Sequence, residues 1–216
     1  MKLELGTSIR CTDGATRELV DVVIDSSSNL VTHLVIRPAQ DAEDARLVPV
    51  SLVNGAEQDG ATEISLNCSA ADLERFEPVH QVEVLPAGER RNEDPKWDVG
   101  VEDLTVSPNY APSAFGDYVG TLDSDATISY DRVPKGEIEL RQASSVYSAD
   151  GHRLGSVDGV VVDDADRLTH LLLERGHLWW RREVALPVEA ISKFESDMVT
   201  LGVTKREFAK ADLSAS

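Results

Sequence analysis

Two histidines stand in matching tripeptides, His33 within Thr32-His33-Leu34 and His170 within Thr169-His170-Leu171. An imidazole can serve as a general base near neutral pH, but it needs a nucleophile or a metal cluster beside it. The sequence supplies neither, and a residue that recurs in the same setting reads as structural, its ring bonding a neighbouring strand. Asp163, Asp164 and Asp166 crowd together, yet a calcium loop needs carboxylates at alternate positions and a later bidentate Glu. That register is missing, so they read as a solvated turn. Cys11 and Cys68 lack metal-ligand spacing and a disulfide-rich context. They read as two reduced, semi-buried thiols, with one bridge in the first half as the alternative. A Gly-rich phosphate loop, a nucleophile elbow and a His-Glu-x-x-His pattern are all absent from the sequence. No catalytic, cofactor-binding or metal-ligating residue is therefore assigned, and the expectation is a protein that is not an enzyme.

One stretch has the chemistry of a contact surface. Arg175-Gly176-His177-Leu178-Trp179-Trp180-Arg181-Arg182 sets two tryptophans among arginines. Exposed tryptophans are costly, and Trp and Arg are the residue types that dominate binding hot spots. His177, Trp179, Trp180, Arg181 and Arg182 are the candidate partner surface. The competing reading has the tryptophans covering their own domain or its neighbour. The matching stretch of the first half, Gln40 to Ala45, is acidic, which suits a contact between the two halves or between two copies of the chain.

The elements that would position these residues come as a duplicated set. Asp13-Gly14 recurs as Asp150-Gly151, and His33 recurs as His170, both at an offset of 137. Val48-Pro49-Val50 recurs as Leu186-Pro187-Val188, and Ile64-Ser65-Leu66 as Val199-Thr200-Leu201. Collinear matches of this kind mark an internal repeat. Asp-Gly favours a type I′ hairpin turn. A β-rich run follows (Leu19–Ile24 and Val157–Val162), then a polar turn, then a third strand (Val31–Arg37 and Leu168–Glu174). Pro49 and Pro187 suit strand ends rather than central ladders. A fifth strand precedes Ser69-to-Asp72 and Thr204-to-Glu207, each a helix-capping signal, with Leu73 and Phe208 as apolar anchors. Asp13, Gly14, His33, Pro49, Asp150, Gly151, His170 and Pro187 are thus the residues assigned a structural role.

This order of turn, Val-rich strand, polar turn, Thr-His-Leu strand and Val-Pro-Val strand resembles the PRC-barrel superfamily, named for the cytoplasmic domain of the photosynthetic reaction-centre H subunit. The resemblance spans roughly residues 3–80 and 138–210 and implies a mainly β protein of two tandem small PRC-barrel-like β-barrels, each closed by a short helix. It carries no catalytic signature. The same fold forms part of the ribosome-maturation factor RimM, so a ribosome- or RNA-processing-associated assembly role is the alternative to a protein-interaction or regulatory module. The expected domains are 1–80 and 138–216, with 81–137 as a Pro- and acid-rich linker. Trp97, Tyr110, Phe115 and Tyr118 make that segment either an ordered strap on the barrels or a loose spacer.

Lys and Arg total 21 against 39 Asp and Glu, a formal charge of −18. Such a field repels phosphate backbones, so direct DNA binding is not expected. The sequence offers neither the apolar run of a signal peptide nor a segment of transmembrane length. The expectation is a cytoplasmic protein whose partner is another protein or a second copy of itself, as in a homodimer.

Overall fold

The computed structural model describes residues 1–38, 44–58, 61–85, 94–106, 126–142, 144–176, 182–195 and 197–214. Strand β1 (Lys2–Glu4) is followed by β2 (Ser8–Arg10), β3 (Thr16–Asp25), β4 (Leu30–Pro38), β5 (Arg46–Pro49), β6 (Val53–Gln58), β7 (Ala61–Leu66) and the one-turn helix α1 (Ala70–Leu73). Next come β8 (His80–Leu85), β9 (Trp97–Val106) and β10 (Ala126–Pro134). The second copy holds β11 (Ile138–Arg141), β12 (Ser145–Tyr147), β13 (Arg153–Val162), β14 (Leu168–Arg175), β15 (Arg182–Pro187), β16 (Ile191–Glu195), β17 (Met198–Leu201) and helix α2 (Lys205–Ser214).

The duplication is visible in the pairing. One sheet runs β5-β4-β3-β2-β7-β6 and the other β15-β14-β13-β12-β17-β16, the same order strand for strand. His33 lies opposite Pro49, and His170 opposite Pro187. Each proline ends its strand and leads into a short 3-10 turn, Val50–Leu52 or Val188–Ala190.

The expectation of closed β-barrels is overturned. Among the described residues neither sheet returns on itself: β5 and β6 end one path without pairing with each other, and β15 and β16 end the other in the same way. The physical reason lies at the prolines. Pro49 has no N–H to continue a ladder, and the 3-10 turn after it sends the chain to pair with β7 instead of β5. The helices do not close the sheets either. Helix α1 is four residues long, and neither helix lies along a strand. Each reaches the interior through its anchor, Leu73 or Phe208, both buried.

Strand exchange joins the two sheets. The N-terminal β1 pairs with β13 of the second copy, Leu3 opposite Val160. Conversely β11, the first strand of the second copy, pairs with β3 of the first, Leu140 opposite Val22. The two β-hairpin turns also bond to one another, Val31 N–H donating to the Asp166 carbonyl and Leu168 N–H to the Asn29 carbonyl. Asn29 and Asp166 are the two non-glycine residues with positive φ among the described ones, 55° and 58°. Asn and Asp tolerate that region best.

One apolar core therefore runs through both copies, uniting Leu3, Ile9, Leu34 and Leu66 with Leu140, Leu171, Val199 and Phe208. Fully burying each Leu or Ile is worth roughly 1.5–3 kcal/mol. A smaller cluster on the other face of the first sheet joins Val23, Val35, Leu47 and Val79, with Trp97 packed against it. Strands β3 and β4 are thus buried on both faces, which explains their near-continuous Val and Ile runs. The segment expected as a linker contains an antiparallel three-stranded sheet, β8-β10-β9. Trp97 stacks there beneath the Arg132 guanidinium at 4.8 Å. Tyr110, Phe115 and Tyr118 fall outside the described residues.

Candidate functional site

The Asp-Gly turns are alike in both copies but are not of type I′. Gly14 N–H donates to the Cys11 carbonyl at 3.0 Å, and Gly151 N–H to the Ser148 carbonyl at 2.9 Å. Gly14 and Gly151 have φ of 82° and 78°, while neither aspartate has positive φ. This is a three-residue loop with glycine in the left-handed position. Keeping the aspartate right-handed aims its carboxylate at the following helix. Asp13 Oδ2 accepts the Ala70 N–H at 3.0 Å, and Asp150 Oδ1 accepts the Lys205 N–H at 2.9 Å. Hydrogen bonds, the Ala70 N–H foremost for Asp13 and the Ser148 side chain followed by the Lys205 N–H for Asp150, hold both carboxyls below the ordinary carboxylate range.

The histidines are also equivalent. His33 Nδ1 lies 3.0 Å from Thr32 Oγ1, and His170 Nδ1 lies 3.1 Å from Thr169 Oγ1. Glu137 adds a carboxylate 3.6 Å from His33 Nδ1. Desolvation outweighs that carboxylate and lowers the His33 pKa, so the ring is neutral at pH 7. Asp163 organises its turn by accepting the Ala165 and Arg167 N–H groups, each at 2.9 Å. Among the described residues no group of three or more His, Cys, Asp or Glu converges as a metal site. Cys11 and Cys68 are both buried free thiols, joined through Thr12 N–H donating to the Cys68 carbonyl at 3.0 Å. Burial pushes both thiols' pKa values up.

Of the candidate partner surface, His177, Trp179, Trp180 and Arg181 lie outside the described residues. Arg182 opens β15, exposed and opposite Arg175. The hairpin that carries this loop differs from its counterpart. Pairing of β4 with β5 stops at Ile36 and Arg46, whereas β14 and β15 continue past the equivalent Leu173 through Glu174–Glu183 and Arg175–Arg182. The ladder is two residue pairs longer, and Arg175 rests over the Phe208 ring at 4.9 Å.

Sequence reasoning missed a buried acidic seam where β11 enters the first sheet. Asp21, Asp131 and Glu139 are 5%, 8% and 0% exposed. Arg141 NH2 donates to Asp131 Oδ2 at 2.5 Å, and His80 Nδ1 stands 3.2 Å from Asp131 Oδ1. Asp21 Oδ1 accepts the Gln142 N–H at 3.1 Å. Desolvation, only partly offset by Arg141, raises the Asp21 carboxyl to about 6. For Glu139 desolvation acts together with Asp21 and Asp131, raising it to about 8. In sequence, Ile138-Glu139-Leu140 alternates like a strand with one wet face, so no local signal marks Glu139 as internal.

Residues 142–207 match the model of the PRC-barrel domain. No curated protein matches the chain. The match spans most of the second sheet, and the first sheet repeats its strand order.

Proposed function

We propose that this tandem PRC-barrel-type protein is a non-catalytic protein-interaction module, docking through the loop at the tip of the β14–β15 hairpin. The observation that carries the reading is the asymmetry between otherwise matching halves. The second hairpin runs two residue pairs beyond the first, and the extension ends in the Arg175–Arg182 pair that brackets His177, Trp179, Trp180 and Arg181.

A basic, aromatic loop on a chain of net charge −18 selects an acidic, partly apolar protein surface. A second copy of this chain offers one. On this reading 1–80 and 138–216 are the two repeated units, 81–137 joins them, and the protein acts in the cytoplasm. No described helix is long and apolar enough to cross a membrane. The structural residues Asp13, Gly14, His33, Pro49, Asp150, Gly151, His170 and Pro187 hold the scaffold that presents the loop.

The test is the Trp179→Ala, Trp180→Ala double variant of the full chain, with sedimentation velocity and binding to the native partner pool as readouts. Hot-spot losses of this kind weaken association by about tenfold or more, while circular dichroism stays that of the parent. Unchanged association in a folded double variant rejects the proposal.

A further inference from the structure

Glu139 is a buried carboxyl with no partner among the described residues. It is 0% exposed, and neither carboxylate oxygen has a hydrogen-bond partner. It also sits on the exchanged strand β11, opposite Val23, where the second half is built into the first half's sheet. The charged groups acting on it come from three neighbouring segments and from its own strand, while β16, also packed against β11, holds Lys193 and Glu195 in an ion pair with each other. Asp21 comes from β3, Asp131 from β10, Asp197 from the turn before β17, and Arg141 from β11 itself. His80 on β8 is held by Asp131, and Arg37 on β4 acts on Asp21.

One guanidinium thus stands among four carboxyls, and Arg141 is already engaged with Asp131. An ionised carboxylate buried without partners costs several kcal/mol, so the group takes up a proton or leaves the interior. A metal ion is the other way to neutralise such a site, but these side chains do not converge as ligands.

We propose that Glu139 is a proton-operated latch on the seam between the two halves: protonated, it lets β11 lie in the first sheet, and ionised, it drives β11 off β3. The latch is independent of the docking loop, and its failure leaves that reading untouched. Its working range follows from the environment. Desolvation and the neighbouring carboxylates raise Glu139 to about 8 from an ordinary 4.5. An acid raised on folding binds its proton in the folded chain first. The proton-linked stability is therefore whole below about pH 4.5 and is lost progressively up to about pH 8. Asp21, raised to about 6, adds to the same trend at lower pH.

Urea unfolding of the full chain from pH 5.5 to 9.5 is the experiment, run on the parent and on Glu139→Gln. The parent's midpoint is expected to fall more steeply with pH than the variant's, so that the two curves diverge toward alkaline pH with the variant ahead. Parallel curves overturn the proposal. Should the variant not fold, carbon NMR of the parent's Glu139 carboxyl decides, a midpoint above 7 supporting the latch and one near 4.5 rejecting it. Amide exchange at Ile138–Arg141 reports the movement itself. After correction for the intrinsic rate, these amides are expected to lose at least tenfold protection between pH 6.5 and 9, while β13 keeps its own. Alkaline titration of Glu139 with β11 still protected also overturns the latch.

Discussion

Replacing Gly159 by Ala tests the strand exchange at a point where a side chain has no room. Gly159 lies opposite Glu4, at the crossing of β1 and β13. A Cβ there would stand 2.3 Å from the Leu3 carbonyl oxygen, 3.0 Å from Glu4 Cα and 3.2 Å from Leu172 Cδ1. The first of these is backbone and cannot rotate away, so β1 must shift or leave. Shifting is overpacking, which costs about 1–3 kcal/mol. Leaving exposes Leu3 and Leu5, now 0% and 4% exposed, at about 2 kcal/mol each. The chain takes the cheaper route, so the loss should be about 1–3 kcal/mol. For a urea slope of about 2 kcal/mol per molar, the midpoint falls by about 0.5–1.5 M. Gly202→Ala is the control, because its Cβ would meet nothing nearer than 3.7 Å. Hydrogen exchange supplies the second readout, with the Leu5 amide, bonded to the Asp158 carbonyl at 2.8 Å, losing protection first. A Gly159→Ala chain within about 0.5 kcal/mol of the parent, with Leu5 still protected, would refute the exchanged seating of β1.

The remaining predictions concern the repeat and its thiols. Asp13→Ala and Asp150→Ala should each lower the thermal midpoint at pH 7, with additive effects, since each removes one equivalent bond to a helix start. Both carboxyls are held below the ordinary range, so their contribution is present above about pH 3.8 and fades as pH falls through the folded value. Calorimetry at pH 7 and pH 2.5 should show the differences from the parent shrinking in acid. Cys11 and Cys68 should react with a thiol reagent at pH 7.5 at least about tenfold more slowly in the folded chain than in urea, because burial disfavours both thiolates. Equal rates in the two states would contradict their placement in the core.

Much of the architecture could be read from local chemistry. The offset of Asp13-Gly14 to Asp150-Gly151 and of His33 to His170 located the repeat, and the strands lie where the Val-rich runs put them. Helix starts were legible because Ser69 with Asp72 and Thr204 with Glu207 place the needed donors and acceptors three residues apart. The turn type was not, since Asp-Gly serves both a type I′ turn and a loop with only the glycine left-handed. Strand exchange leaves no trace in sequence either. Lys2-Leu3-Glu4 and Ile138-Glu139-Leu140 would look the same whichever sheet they joined. Burial of Glu139 follows from the choice, so the acidic seam was hidden with it. The proposed docking residues show the opposite case. Their types stand out in the sequence, while the longer hairpin that leads to them does not.

The seat of β1 sets an order of events during synthesis. Leu3 pairs with Val160 of β13, so a strand made early waits for one finished some 160 residues later. At roughly 5–20 residues per second a nascent chain spends on the order of ten to thirty seconds with β1 unclaimed. Until β11 emerges, the first sheet likewise lacks the strand that lies beside β3. Neither half can reach its final form ahead of the other, and a ribosome stalled before residue 153 would hold a partner-less strand edge in the open.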